Sequence, residues 1–384
     1  MIRLIHRQTE RIMFYSLSSH KTRIPSFIYL LFISAIVFSL PIPFQSEAIA
    51  KELKVGFIYI SNAEDAGWSH SHDLGRQLID KIPNVTTNYV ESVWDGDETY
   101  IDSTLFHMAT NGYELIFATT FGYLNSVHKI ARQFPKTLFM HCSGNQISSN
   151  VGTYFGRIYQ ARYLTGLIAG TMTKTNLIGY VAAFPIPEVI RGINAFTLGV
   201  REANPDAKVH VQWTLDWNNP AREKQVARKL IKQEMDVLAQ HQDSPATQIV
   251  ANENGVYSIG YHQDMSSYAP ESHLTAPIWQ WGLIYKYIVD KARAGNRKSE
   301  SIWWGLEHGV VDLAPFGNMV PEKTRKKVLL KKDEIASGRF NIFSGPIKDQ
   351  EGSIQIPEGE QATDEELLGM SWFVEGVVGT SSPD

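Results

Sequence analysis

The stretch Ser61-Asn62-Ala63-Glu64-Asp65-Ala66-Gly67-Trp68-Ser69-His70-Ser71-His72-Asp73-Leu74-Gly75-Arg76 decides how the chain folds. It follows an apolar run, residues 53–60, with the length and composition of a buried strand. A helical pattern carried by Leu74, Leu78 and Ile79 comes after it. In an open parallel α/β sheet, the loop leaving the carboxyl end of the first strand points into a ligand crevice. Here that loop holds an acid (Asp65), a glycine that lets backbone come close (Gly67) and a large aromatic (Trp68). An indole left in water is costly, so either a ligand or the indole's own lobe must cover it.

Outward from this loop the chain alternates strand and helix. Strands are expected at 54–60, 85–93, 114–120 and 137–143, with helices at 69–82, 98–110 and 123–133 between them. Pro83, Asn111-Gly112 and Pro135 supply the stops. Alternation at this spacing implies a parallel sheet with right-handed crossovers. The loop after the third strand, Thr119-Thr120-Phe121-Gly122-Tyr123, leaves the same sheet edge and aims Phe121 at the crevice. The helix expected at 157–173 is rich in small residues (Ala161, Gly166, Ala169, Gly170), which predicts close packing against a sheet.

The pattern then restarts. Strands are expected at 177–183, 208–213, 237–239 and 256–261, with a helix opened by Pro187 and stopped by Asn204-Pro205. Trp217 lies on the loop at 214–223, the counterpart of the first crevice loop, and His241-Gln242-Asp243-Ser244-Pro245 opens a further helix. Two α/β lobes with facing sheet-edge loops describe a hinged clamp. Lobe 1 is expected over 51–173 with a return segment at 281–320, and lobe 2 over 174–280 with a C-terminal contribution from 321–384.

Residues 1–50 read as an export signal. Arg3, Arg7, Arg11, Lys21 and Arg23 precede an apolar run at 28–40, and Ala48-Ile49-Ala50 offers a small-residue cleavage site before Lys51. The apolar run is shorter than the roughly 20 residues a membrane span needs. A retained anchor is the alternative. Taking five basic and two acidic residues from totals of 36 and 40 leaves 31 against 38, a net charge of −7. That balance argues against nucleic acid. Cys142 is the sole cysteine, which excludes a disulfide framework and a lipid-attachment cysteine after the apolar run. The expectation is a soluble, monomeric periplasmic protein.

Trp68 on one lobe and Trp217 on the other could hold a flat ligand between indoles, and stacking of a base on an aromatic is worth ~1–3 kcal/mol. Asp65, Asn218, Asn219, Gln242 and Asp243 could accept hydrogen bonds from ring N–H and exocyclic amino groups.

Several segments, in order, resemble the basic membrane protein family of solute-binding proteins, the purine nucleoside receptors of ABC importers. They are Asp65-Ala66-Gly67-Trp68, Gly112-Tyr113-Glu114-Leu115-Ile116-Phe117-Ala118, Pro187-Glu188-Val189-Ile190-Arg191-Gly192-Ile193-Asn194-Ala195-Phe196 and Trp217-Asn218-Asn219-Pro220-Ala221-Arg222-Glu223-Lys224. The resemblance implies an α/β, two-lobe periplasmic-binding-protein-like fold of type I, with parallel sheets flanked by helices around a hinged crevice. It also implies an ABC permease as partner and a purine sandwiched by Trp68 and Trp217. Two departures stand out. The region Ser272-His273-Leu274-Thr275-Ala276-Pro277-Ile278-Trp279-Gln280-Trp281 lacks the family's lysine and carries two tryptophans, and Asn219 stands where many members have Asp. Lost charged ribose contacts and added aromatic bulk favour a free base over a nucleoside, with Trp279 filling the space of the sugar.

Other chemistry is thin. His70, His72 and Asp73 fall on different faces of a helix start and make a poor metal site. No phosphate-binding glycine loop or nucleophile elbow is present, and no cofactor is implied. A binding protein is therefore expected. The alternatives are an exported nucleoside hydrolase using Asp65 or Asp243 as general base, and a sensor-linked purine receptor.

Overall fold

A computed structural model describes residues 52–382. The export segment expected at 1–50 lies outside the described residues. Two six-stranded parallel sheets organise the rest. In the first, the order across the sheet is Ser301–Trp304, Val151–Gly156, Leu138–Cys142, Leu115–Ala118, Leu53–Ile58 and Val85–Val90. In the second it is His273–Thr275, Tyr257–Ile259, Val237–His241, Leu177–Ala182, Lys208–Trp213 and Val377–Val378. The opening strand of each sheet lies inside it, flanked by the next two strands of its lobe. Such a reversal of strand order is where an open α/β sheet leaves a crevice at the carboxyl ends. The α/β two-lobe expectation holds.

The first sheet's four inner strands are buried along most of their length, Leu115–Ala118, Leu138–Cys142 and Val151–Gly156 entirely so. Continuous apolar runs suit a parallel sheet covered on both faces. Several elements escaped the sequence reading, among them the helix Trp281–Arg293 and the first sheet's edge strand Ser301–Trp304. Val151–Gly156 reads VGTYFG, with glycines and a threonine that break the apolar signal. Val377–Val378 and the helix Asp364–Leu368 are too short to show a period.

The small-residue helix, Ile158–Met172, packs chiefly on another helix, Pro187–Ala203, and also meets strands, Pro277–Trp279, Val311–Leu313 and Tyr257–Ile259. A Cβ on Gly166 would lie 2.0 Å from the Phe196 carbonyl oxygen, and one on Gly199 2.1 Å from that of Tyr163. The two helix backbones touch, and only glycine permits that approach.

Two of the segments that join the sheets are regular elements. One is Ile158–Met172. The other is an antiparallel pair, Pro277–Trp279 with Val311–Leu313. The described residues contain no helix long and apolar enough to cross a membrane.

Candidate functional site

Loops from the carboxyl ends of both sheets meet around a small cavity lined by Ile60, Trp68, Thr120, Phe121 and Ser143 from the first and by Ile186, Glu188, Trp217, His241, Asp243 and His262 from the second. It holds about 30 Å³. That is room for a water or two, so the walls must part to seat a heterocycle.

The first wall is built from backbone and aromatic surface. Asp65 does not face the cavity. Its Oδ1 accepts from the backbone N–H of Gly67 (2.8 Å) and His70 (3.0 Å), and its Oδ2 from Ser69 N–H (3.2 Å) and the Ser61 hydroxyl. The carboxylate thus holds the start of the helix Trp68–Ile79, satisfying donors that a helix N-terminus leaves open. Held in this way, Trp68 is only 8% exposed. Its Nε1–H donates to the Thr119 carbonyl at 2.8 Å. Behind it, Trp279 and Trp281 stack at 4.4 Å and 17°, and both meet the Trp68 ring edge-on. Phe121, at 47% exposed, is the freest aromatic in the wall.

The second wall is ionisable. Asp243 is buried, and its Oδ1 lies 3.0 Å from His262 Nε2. Burial, then the neighbouring carboxylates of Asp65, Glu223, Glu188 and Asp216, holds the Asp243 carboxyl well above the usual carboxylate range. Glu188 sits in the first turn of Pro187–Ala203, where burial pushes it up to about 7 against the pull of Arg191, the Ser143 hydrogen bond and Arg162. Its Oε2 accepts from Ser143 Oγ at 3.1 Å across the crevice. Burial keeps the imidazoles of His241 and His262 neutral, with the positive charge of Arg162 as a further cause for both. Trp217 stands at this wall, half-buried, with Phe184 at 5.1 Å and His241 at 6.2 Å.

The walls also touch directly. Gln263 Nε2 donates to the Ala66 carbonyl at 2.7 Å. A Cβ on Gly67 would fall 2.1 Å from the Asp243 carbonyl oxygen, so glycine is required there for closure. Four non-glycine residues around this contact, Ala66, Ser143, Leu215 and His262, have left-handed backbone, with φ between 54° and 71°. Strain of this kind gathers at ligand clamps.

Of the residues singled out from sequence, Trp68, Phe121, Trp217 and Asp243 therefore line the cavity, and Asp65, Gly67, Asn219, Gln242 and Trp279 stand outside its wall. Asn219 caps the helix Pro220–Lys232 through Arg222 N–H (3.1 Å) and binds Asp216 with its amide. Gln242 Nε2 donates to Thr214 Oγ1 at 2.7 Å. Trp279 is buried behind Trp68 rather than filling ligand space. The sequence reading missed Ser143, Glu188, His241 and His262, although each sits at or just past the carboxyl end of a strand. Among the described residues no cluster of His, Cys, Asp and Glu is placed to hold a metal.

The family model for PnrA-like ABC transporter substrate-binding proteins matches residues 52–344. The chain belongs to this family. It is a substrate-binding protein of an ABC transporter, and not an enzyme, which sets aside the hydrolase alternative. A purine-binding protein of Brucella abortus is 40% identical to this binding protein over 332 residues, covering 85% of this chain and 93% of its own. A Haloferax volcanii protein named for glucose binding by an ABC transporter is 37% identical over 329 residues, covering 85% and 81%. Among solved structures, an ABC transporter solute-binding protein from Conexibacter woesei superposes with a TM-score of 0.64 at 20% identity, covering 75% of this chain and 98% of its own, which shows the fold alone.

Proposed function

We propose that the chain is the periplasmic receptor of an ABC importer for a purine, held as the free base between the two lobes. The observation that carries this reading is the pairing of walls. Aromatic surface from Trp68, Phe121 and Trp217 surrounds two carboxyl groups, the buried Asp243 and the partly buried Glu188, in one cavity. A flat heterocycle stacks on the first and offers ring N–H and amino donors to the second. The similarity to the Brucella purine-binding protein supports the same class of ligand.

A ribose would have to project past Phe121 and Ile186 into a neighbouring cleft of about 780 Å³, bounded by Arg157, Arg191, Trp303 and Asp364. A sugar is the second reading, because the Haloferax relative is named for glucose and carboxylates with stacked aromatics also suit sugar hydroxyls. Acid-denaturing the purified protein and identifying the released small molecule by mass spectrometry separates the readings. A purine base is expected. Recovery of a hexose would reject the purine, and recovery of an intact nucleoside would reject the free base.

A further inference from the structure

Trp279 lies behind the cavity rather than in its wall, yet its indole N–H reaches His262 Nδ1 at 3.1 Å. An indole N–H only donates, so Nδ1 must be the acceptor nitrogen of the imidazole. The ring is neutral, so its single proton sits on Nε2. Nε2 lies 3.0 Å from Asp243 Oδ1, and Oδ1 therefore accepts. Chemistry alone fixes the direction of every bond in this chain. Among the described residues Asp243 has no other side-chain partner, and both Asp243 and His262 lie in the cavity wall.

We propose that Trp279 and His262 are positioning residues that lock the Asp243 carboxyl for ligand recognition, with Oδ1 held as an acceptor and Oδ2 left to meet the polar edge of the bound heterocycle. Neither the tryptophan nor its bond to the histidine touches the ligand. Their effect passes through the orientation of one carboxyl group. A second observation agrees: His262 holds a left-handed backbone (φ 71°), which is costly for a residue with a side chain and places the imidazole between Trp279 and Asp243. The proposal rests on the cavity being a purine site.

The test compares two uncharged replacements. In His262→Gln the amide N–H can still donate to Asp243, whereas in His262→Leu nothing can. With adenine and hypoxanthine as probes, His262→Leu is expected to weaken binding about ten- to a hundredfold, and His262→Gln to recover most of that loss. Equal losses in the two variants would mean that His262 only fills space, and would overturn the relay. Wild-type protein that binds neither purine would overturn the purine reading and the relay with it. Wild-type binding with no change in either variant would overturn the relay alone. If His262→Leu does not fold, nitrogen NMR of the wild-type imidazole decides. Protonation at Nε2 with a bare Nδ1 is expected, and the opposite tautomer would overturn the proposal.

Discussion

The two walls of the cavity do different work. The first presents Trp68 with its polar edge already bonded to Thr119, over a layer of Trp279 and Trp281, on a loop whose Asp65 is spent on backbone N–H groups. The second presents ionisable groups, Asp243, His241 and His262 buried and Glu188 partly so, beside a half-covered Trp217. One wall supplies shape and the other chemistry. Two tryptophans at corresponding loops are thus unequal: one is almost covered by its own lobe, the other only half-covered.

The sharpest way to break this contrast is to truncate both. Trp68→Ala removes a nearly buried indole and its hydrogen bond, and should cost about 3–5 kcal/mol of stability, read as a shift in the denaturant midpoint. Trp217→Ala should leave the midpoint almost unmoved and weaken purine binding by ~1–3 kcal/mol. Matching stability losses in the two variants would dissolve the distinction.

The same contrast was partly legible before any coordinates. Strand–helix alternation and its stops placed the two sheets, because apolar runs of a single strand's length carry their own signal. Trp68, Phe121, Trp217 and Asp243 were found because they lie on loops leaving strand ends. His262 and Glu188 were passed over, since a lone histidine after a strand and a glutamate in a first helical turn look like ordinary surface residues until burial is known. Asp65 and Asn219 were chosen for ligand chemistry, yet both are helix-start residues whose oxygens the backbone claims first. Residue type near a crevice does not reveal which acceptors remain free. Trp279 was placed against the ligand for its bulk, when its N–H ties it to His262.

The ionisable wall should also make stability depend on pH. Burial pushes Glu188 and Glu223 up to about 7, so the folded chain keeps protons that the unfolded chain releases at lower pH. Their contribution is full below the ordinary glutamate value of about 4.3, and is lost as pH rises through about 7. The two glutamates lower the denaturant midpoint as pH rises across that window, while the buried His241 and His262 act in the opposite sense. The readout is therefore the difference between proteins: Glu223→Gln is expected to gain on the wild type as pH rises. A difference between the two proteins that stays constant from pH 5 to pH 7.5 would count against the buried, protonated wall.

Smaller effects separate the spent acceptors from the free one. Asn219→Ala should cost about 1 kcal/mol of stability through the lost helix cap, and little purine affinity. An affinity loss larger than the stability loss would return Asn219 to the ligand.

The most direct test of a purine held between a shaping wall and a reading wall is titration calorimetry on protein freed of endogenous ligand, with adenine, hypoxanthine, guanine, their nucleosides and glucose, repeated on Asp243→Asn. The account predicts that a base binds more tightly than its own nucleoside and than glucose, and that Asp243→Asn weakens the base by about 1–3 kcal/mol. Tighter binding of a nucleoside or of glucose, or an Asp243→Asn variant with undiminished affinity for the base, would contradict it.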